Sequence, residues 1–175
     1  LEASMSNFEN CTKVISDPYK KCFDIHGDNH FGADWPKQDD LITRYNIMLS
    51  VVKNNRADVS LLDFGCGTGM LLEHINRSKI TDIKYSGIDI NKKTTEVAKT
   101  KFKDNEFYCA NIFEDNFEKK FDYIVCNGVF TEKLSLEKDE MFNFMCSLIE
   151  KLFTLCNDGL AFNVMSTHVD YENPN

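Results

Sequence analysis

The 175-residue sequence predicts an α/β fold, a mainly parallel sheet between two layers of helices. Three observations predict it. Strand-like and helix-like segments alternate from residue 59 to residue 166. The strand segments are continuous apolar runs without clean alternation, as expected when both sheet faces are covered. The first of these runs stops at Asp63-Phe64-Gly65-Cys66-Gly67-Thr68-Gly69, an acid followed by three glycines at alternate positions, and a helical pattern opens directly after it.

Taken in order, residues 1–38 read as an irregular or helical lead-in. They are polar, and HGDNHFGADWPKQDD (26–40) carries the Gly, Asp, Asn and Pro of a loop. A helix is expected from Asp39 or Asp40, as cap, to Asn54 and Asn55, because Leu41, Tyr45, Met48, Leu49 and Val52 recur at helical spacing. VSLLDFG (59–65) is a buried strand, MLLEHINRS (70–78) a helix and IKYSGIDI (83–90) a strand. NKKTTEVAKTKFK (91–103) is a helix with Asn91 as its cap; EFYCANI (106–112) and FDYIVCNGVF (121–130) are strands. Residues 138–159 read as a long helix with Phe142, Met145, Ile149, Leu152 and Cys156 on one face, and Asn157 and Gly159 at its terminator. LAFNVMS (160–166) is a fifth strand.

One domain is expected at this length. Hydrophobic residues make up 42%, with 14 Phe to fill a core. The net charge of −8 argues against tracking nucleic-acid phosphates, which needs clustered Lys and Arg. No apolar run is long enough to span a membrane, and no leader is expected. The seven Cys are irregularly spaced without a CxxC, which predicts free thiols in a reducing cytoplasm and no zinc site. The cluster HGDNH lies in an irregular loop and is not read as a metal site.

In sheets of this kind ligands bind beyond the carboxyl ends of the strands, where the strand order reverses. Glycines there permit positive φ and remove the Cβ that would block a ligand, and the next helix aims free N–H groups at the same place. Dinucleotide binding wants G-x-G-x-x-G, but position 70 is Met. The phosphate loop wants a Lys and a spacing that are both absent. Asp89 ends the second strand, about 20 residues beyond Gly69, where a carboxylate accepts both hydroxyls of a ribose or else caps the helix from Asn91. Asp63 either faces a ligand or bonds the loop's N–H groups.

LLDFGCGTGMLLEHI resembles the first motif of the class I S-adenosylmethionine-dependent methyltransferases, and GIDI resembles their ribose-binding strand end. FYCANIFE is similar to the adenine-flanking segment, FDYIVCNGVF to the fourth-strand motif, and FGADWPKQDDLITRYNIML to the lead-in of a small-molecule branch. The resemblance runs from about Asp39 to Ser166. It implies a Rossmann-like sheet of order 3-2-1-4-5, a cofactor-binding methyltransferase domain over 39–175, and S-adenosyl-L-methionine as cofactor. The family has seven strands, the last two a hairpin. Only five are read here, so that hairpin is expected to be missing.

The resemblance also implies residue roles. Gly65 and Gly67, with Asp63 and Cys66 of the same loop, lie along the methionine portion; Asp89 holds the ribose. Ile90 and Ile112 cover the adenine faces, and Asn111 stands where the family often has Asp, facing the adenine amino group. Asn127 and Gly128 line the sulfonium and substrate side, unless Asn127 is a strand-end turn residue. Arg44 pairs with the cofactor carboxylate or is a solvated helix residue. Trp35 covers the cofactor or closes the core. Transfer needs alignment and exclusion of water, and a base only where the acceptor must lose a proton. His26, His30 and His168 are the candidates, with His168 nearest the expected active face. The Asn/Asp-Pro-Pro-aromatic and Pro-Cys motifs are absent, and a small-molecule acceptor is expected. A cofactor-binding module without activity of its own is the alternative, and a nicotinamide-dependent oxidoreductase is disfavoured by Met70.

Overall fold

The computed structural model describes residues 2–53, 57–132 and 134–165. Ten elements follow in chain order: α1 (Glu2–His26), α2 (Gln38–Leu49), β1 (Val59–Phe64), α3 (Met70–Arg77), β2 (Ile83–Asp89), α4 (Lys92–Lys101), β3 (Glu106–Cys109), β4 (Phe121–Phe130), α5 (Lys138–Thr154) and β5 (Cys156–Val164). The five strands form one sheet of order β3-β2-β1-β4-β5, and every neighbouring pair is parallel. The order reverses between β1 and β4.

Strand side chains alternate between two apolar layers. Leu62, Ile88, Ile124 and Cys126 pack with Cys11 and Ile15 of α1 and with Phe144, Leu148 and Leu152 of α5. Leu61, Tyr85, Tyr123 and Val125 pack on the other face with Met48 of α2, Leu71, Leu72 and Ile75 of α3, and Ala98 of α4. The central strands β1 and β4 are therefore apolar at successive positions, which is the physical origin of their continuous runs.

Several boundaries differ from the sequence reading. The lead-in is mostly one 25-residue helix with Pro18 inside it. Its stripe of Cys11, Ile15 and Tyr19 faces the sheet and α5. α2 stops at Leu49, with Lys37 rather than Asp39 or Asp40 at its N-cap position. β3 ends at Cys109, so Asn111 and Ile112 lie in the following turn. α5 ends at Thr154, and Cys156, Asn157 and Gly159 belong to β5. Its buried stripe is Phe144, Leu148 and Leu152, whereas Phe142 is 59% exposed. Two stripes of similar hydrophobicity run along that helix, and the one meeting β4 and α1 wins. Asn91 does cap α4, its side chain accepting from the Lys93 N–H.

Leu152 has no exposed surface and sits where α5 meets the sheet. Leu152→Ala should cost about 3 kcal/mol through lost burial and an incompletely collapsed cavity, read as a lower urea midpoint with an unchanged slope.

Candidate functional site

The reversal between β1 and β4 opens a largely apolar cavity of about 190 Å³ at the carboxyl ends of the strands. Its floor is the glycine loop. Gly65, Gly67 and Gly69 have φ of 80°, 53° and 81°, a region L side chains avoid. The three serve different ends. A Cβ on Gly69 would stand 2.9 Å from the Phe102 ring, so that glycine lets α3 lie close to the end of α4. A Cβ on Gly65 would touch Val129. A Cβ on Gly67 would meet nothing within 4 Å, so its bare face borders open space in the cavity.

Asp89, at the end of β2, fixes this loop. One carboxylate oxygen accepts the Gly67 N–H at 2.8 Å and the other accepts the Asn91 N–H at 2.7 Å. The Ile88 carbonyl accepts the N–H groups of Gly65 and Cys66 at 2.8 and 3.1 Å. Each Asp89 oxygen keeps a second lone pair, and the residue lines the cavity. Burial raises its pKa, and its backbone hydrogen bonds act against that rise.

Asp63 is buried at the end of β1 and accepts the Tyr85 hydroxyl at 2.6 Å. Burial pushes its pKa up to about 7; the Tyr85 bond opposes the shift and the Asp89 charge adds to it. Tyr45 of α2 lines the cavity beside Asp63 and Glu73, and burial raises its phenol pKa. The first N–H groups of α3, from Met70, have no intrahelical acceptor and open at the same end.

The remaining expected residues divide by what the fold does with them. Ile90, Ile112, Asn127 and Gly128 all line the cavity. Asn127 Oδ1 is buried without a hydrogen-bond partner. Gly128, at φ 91°, presents its carbonyl to the hydroxyls of Tyr19 and Thr131 and its N–H to Asn163 Oδ1. Trp35 packs over Gly128, where a Cβ would stand 3.4 Å from the indole, and Arg44 stacks on the Trp35 ring at 4.9 Å. Arg44 does not itself line the cavity.

Cys66 contributes backbone rather than thiol. Its Sγ is turned into the core beneath Gly87, where a Cβ would come within 2.7 Å of it. Asn111 lines the cavity too, and its side chain is held by its own turn, its Oδ1 accepting the Phe113 N–H and its Nδ2 donating to Glu114. His30 bonds the Trp35 carbonyl through Nδ1 at 2.7 Å, and His26 is exposed. His168 lies outside the described residues. No group of metal-ligating side chains occurs among the described residues, and no helix there is long and apolar enough to cross a membrane.

Sequence reasoning missed the wall opposite the glycine loop. Thr12, Ile15, Ser16, Tyr19 and Phe23 of α1 line the cavity, as do Phe144 and Leu148 of α5. Their helical spacing was the available signal.

Asp63 gives a pH test. An acid whose folded pKa exceeds its unfolded value of about 4 costs nothing below pH 4, increasingly more up to pH 7, and a constant amount above. The full penalty is roughly 4 kcal/mol. Asp63→Asn should therefore gain on the parent by roughly 2–3 kcal/mol between pH 5 and pH 8, measured by urea unfolding at both values. A pH-independent difference would exclude this charge effect.

A family model described as a methyltransferase domain matches residues 55–172, more than half of the chain. A malonyl-[acyl-carrier protein] O-methyltransferase of Acetivibrio thermocellus is 30% identical over an alignment of 135 residues that covers 71% of this chain and 44% of that protein. The chain thus spans less than half the length of that relative. Among solved structures, the plantazolicin methyltransferase BpumL, in complex with a pentazolic desmethylPZN analog and SAH, aligns with a TM-score of 0.63 at 18% identity, over 94% of this chain and 62% of its own. The apo-form of mycolic acid cyclopropane synthase CmaA1 aligns at 0.54 and 16%, over 86% and 53%. At such identities the structural likeness speaks for the fold. With the family match over the glycine loop and all five strands, it makes this chain a member of the class I S-adenosylmethionine-dependent methyltransferase family.

Proposed function

We propose that the chain binds S-adenosyl-L-methionine in the cavity beyond β1 and transfers its methyl group to a small-molecule acceptor. The observation that carries this reading is the pairing of Asp89 with Gly67. A carboxylate locked by two N–H groups, with lone pairs to spare, stands beside a backbone face that no Cβ obstructs. The cavity's charge supports it. Asp89 and Asp63, the latter with its pKa pushed up to about 7, are the ionisable carboxylates lining it among the described residues, and a ligand carrying net positive charge would favour their charged forms.

In this reading Asp89 takes the ribose hydroxyls, and Ile90 and Ile112 cover the adenine. Asn111 contributes mainly by shaping the turn that carries Ile112. Gly65, Gly67 and the backbone of Cys66 border the amino-acid portion, beneath Asp63. The free N–H groups of α3 and the Tyr45 hydroxyl suit a carboxylate. Asn127 and Gly128 border the reacting end. Trp35, steadied by Arg44, closes the mouth and keeps water out. When bound, the cofactor supplies an electrophilic methyl on a sulfonium; the protein's share is to hold, orient and dehydrate. We take residues 39–175 as the methyltransferase unit, with the lead-in supplying one cavity wall. Seven free cysteines fit a reducing, cytoplasmic setting.

Calorimetric titration with S-adenosylhomocysteine tests the reading, with methyl transfer assayed separately. Binding without turnover over a broad acceptor panel would favour the alternative of a cofactor-binding module. Asp89→Ala should weaken S-adenosylhomocysteine by about 100-fold or more, since it removes the ribose acceptor and loosens the loop. Gly67→Ala should cost about 1–2 kcal/mol of stability from its left-handed φ, and weaken the ligand by at least about tenfold, because the new methyl enters the cavity. Unchanged affinity in both variants would place the ligand elsewhere.

A further inference from the structure

Asp63 is an acid whose charge nothing at the cavity balances. It is buried near the end of β1 and lines the cavity. The titratable groups that act on it or feel its charge are acids, phenols and thiols: Tyr85 and Asp89 of β2, Tyr45 of α2, Cys66 of the glycine loop and Cys126 of β4. Glu73 of α3 adds to the same field at Tyr45. Among the described residues no Lys, Arg or His side chain lines the cavity, and Lys20 of α1 acts on Asp89. A buried carboxylate without a counter-charge is less stable than the neutral acid. Asp63 accordingly keeps its proton up to about pH 7.

What Asp63 does have is one hydroxyl. The Tyr85 phenol donates to its Oδ2 at 2.6 Å. Tyr85 stands diagonally across the β1–β2 ladder, two residues before Gly87, the direct partner of Asp63. It is buried against Phe107, with ring centroids 5.9 Å apart, and does not itself line the cavity. Burial also keeps the phenol protonated, so it stays a donor. A donor bonded to a carboxyl oxygen favours the ionised form. Tyr85 therefore works against burial and keeps ionisation of Asp63 within reach of a ligand's charge.

We propose that Tyr85 is a positioning residue for the charge of the cofactor: it holds Asp63 so that the acid gives up its proton to solvent as a cationic ligand enters. The proposal rests on the cofactor reading above. The O–H bond of the Asp63 carboxyl breaks, its electron pair stays on oxygen and the proton passes to the buffer. The ligand's ammonium keeps its own protons. One positive charge thus replaces another, and neither state of the site holds an unpaired buried charge at Asp63. A ligand with the same nucleoside but no cation gains nothing from the exchange.

Calorimetry with S-adenosylhomocysteine, repeated in buffers of different ionisation enthalpy, counts the protons released. About 0.9 of a proton per ligand is expected at pH 6 and about 0.1 at pH 8, with affinity about 20-fold weaker at pH 5.5 than at pH 7.5. 5′-Methylthioadenosine, which lacks the amino-acid portion, should release none. Asp63→Asn should abolish the release and hold the affinity for S-adenosylhomocysteine within about twofold over that range. Tyr85→Phe keeps the ring on Phe107 and removes the hydroxyl alone. It should weaken S-adenosylhomocysteine by about three- to tenfold at pH 7 and converge on the parent as the pH rises. A loss equal at every pH is a structural effect and overturns the proposal. So does a proton released with 5′-methylthioadenosine, or a release that persists in Asp63→Asn and so belongs to Asp89. S-adenosylhomocysteine that binds with no proton released overturns this inference and leaves the cofactor reading standing. Its failure to bind at any pH overturns the cofactor reading, and this one with it.

Discussion

The two hydrogen bonds from Gly67 and Asn91 to the Asp89 carboxylate hold the site together. Without them only backbone bonds to the Ile88 carbonyl would tie the end of β2 to the loop after β1. Through one side chain the end of a strand dictates the course of a glycine loop that has little conformational preference of its own. The carbonyl of Ile88 adds a second tie by accepting two N–H groups of the same loop. α3 then starts from a fixed position, with its unpaired N–H groups directed at the cavity. A flexible sequence becomes a preorganised surface because its donors are satisfied from the neighbouring strand.

The same economy governs the other side of the cavity. α1 is remote in sequence from β4, yet Tyr19 reaches the Gly128 carbonyl and Trp35 lies against the Gly128 α-carbon. Gly128 is thus pinned by a hydroxyl from one element and an indole from another, and its N–H is held by Asn163 of β5. The lead-in is part of the cavity wall in this sense. It covers one side of the cavity that the sheet opens, with the apolar Ile15 and Phe23 and the hydroxyl-bearing Thr12, Ser16 and Tyr19.

Much of this was legible in the chain itself. The strands were readable because burial on both faces forces continuous apolar runs. Gly67 and Asp89 were readable because the backbone geometry they serve admits few alternatives. α1 was obscured by Pro18 and by a polar surface, although Cys11, Ile15 and Tyr19 carry its buried stripe. The faces of α5 could not be separated from sequence, since Phe142 and Phe144 differ only in which one meets β4. The direction of the Cys66 thiol is set by the bareness of Gly87, a residue of another strand. Asn111 lines the cavity and also bonds Phe113 and Glu114 of its own turn, a local contact that only the geometry reveals.

Trp35 is the only tryptophan in the chain. It stacks on the Arg44 guanidinium and covers Gly128 at the edge of the cavity. All indole emission from the chain therefore originates at one address, beside a cation and at the edge of the cavity. The molecule carries its own optical reporter: whatever enters the cavity or displaces that stack changes the polarity around a single fluorophore, with no label attached.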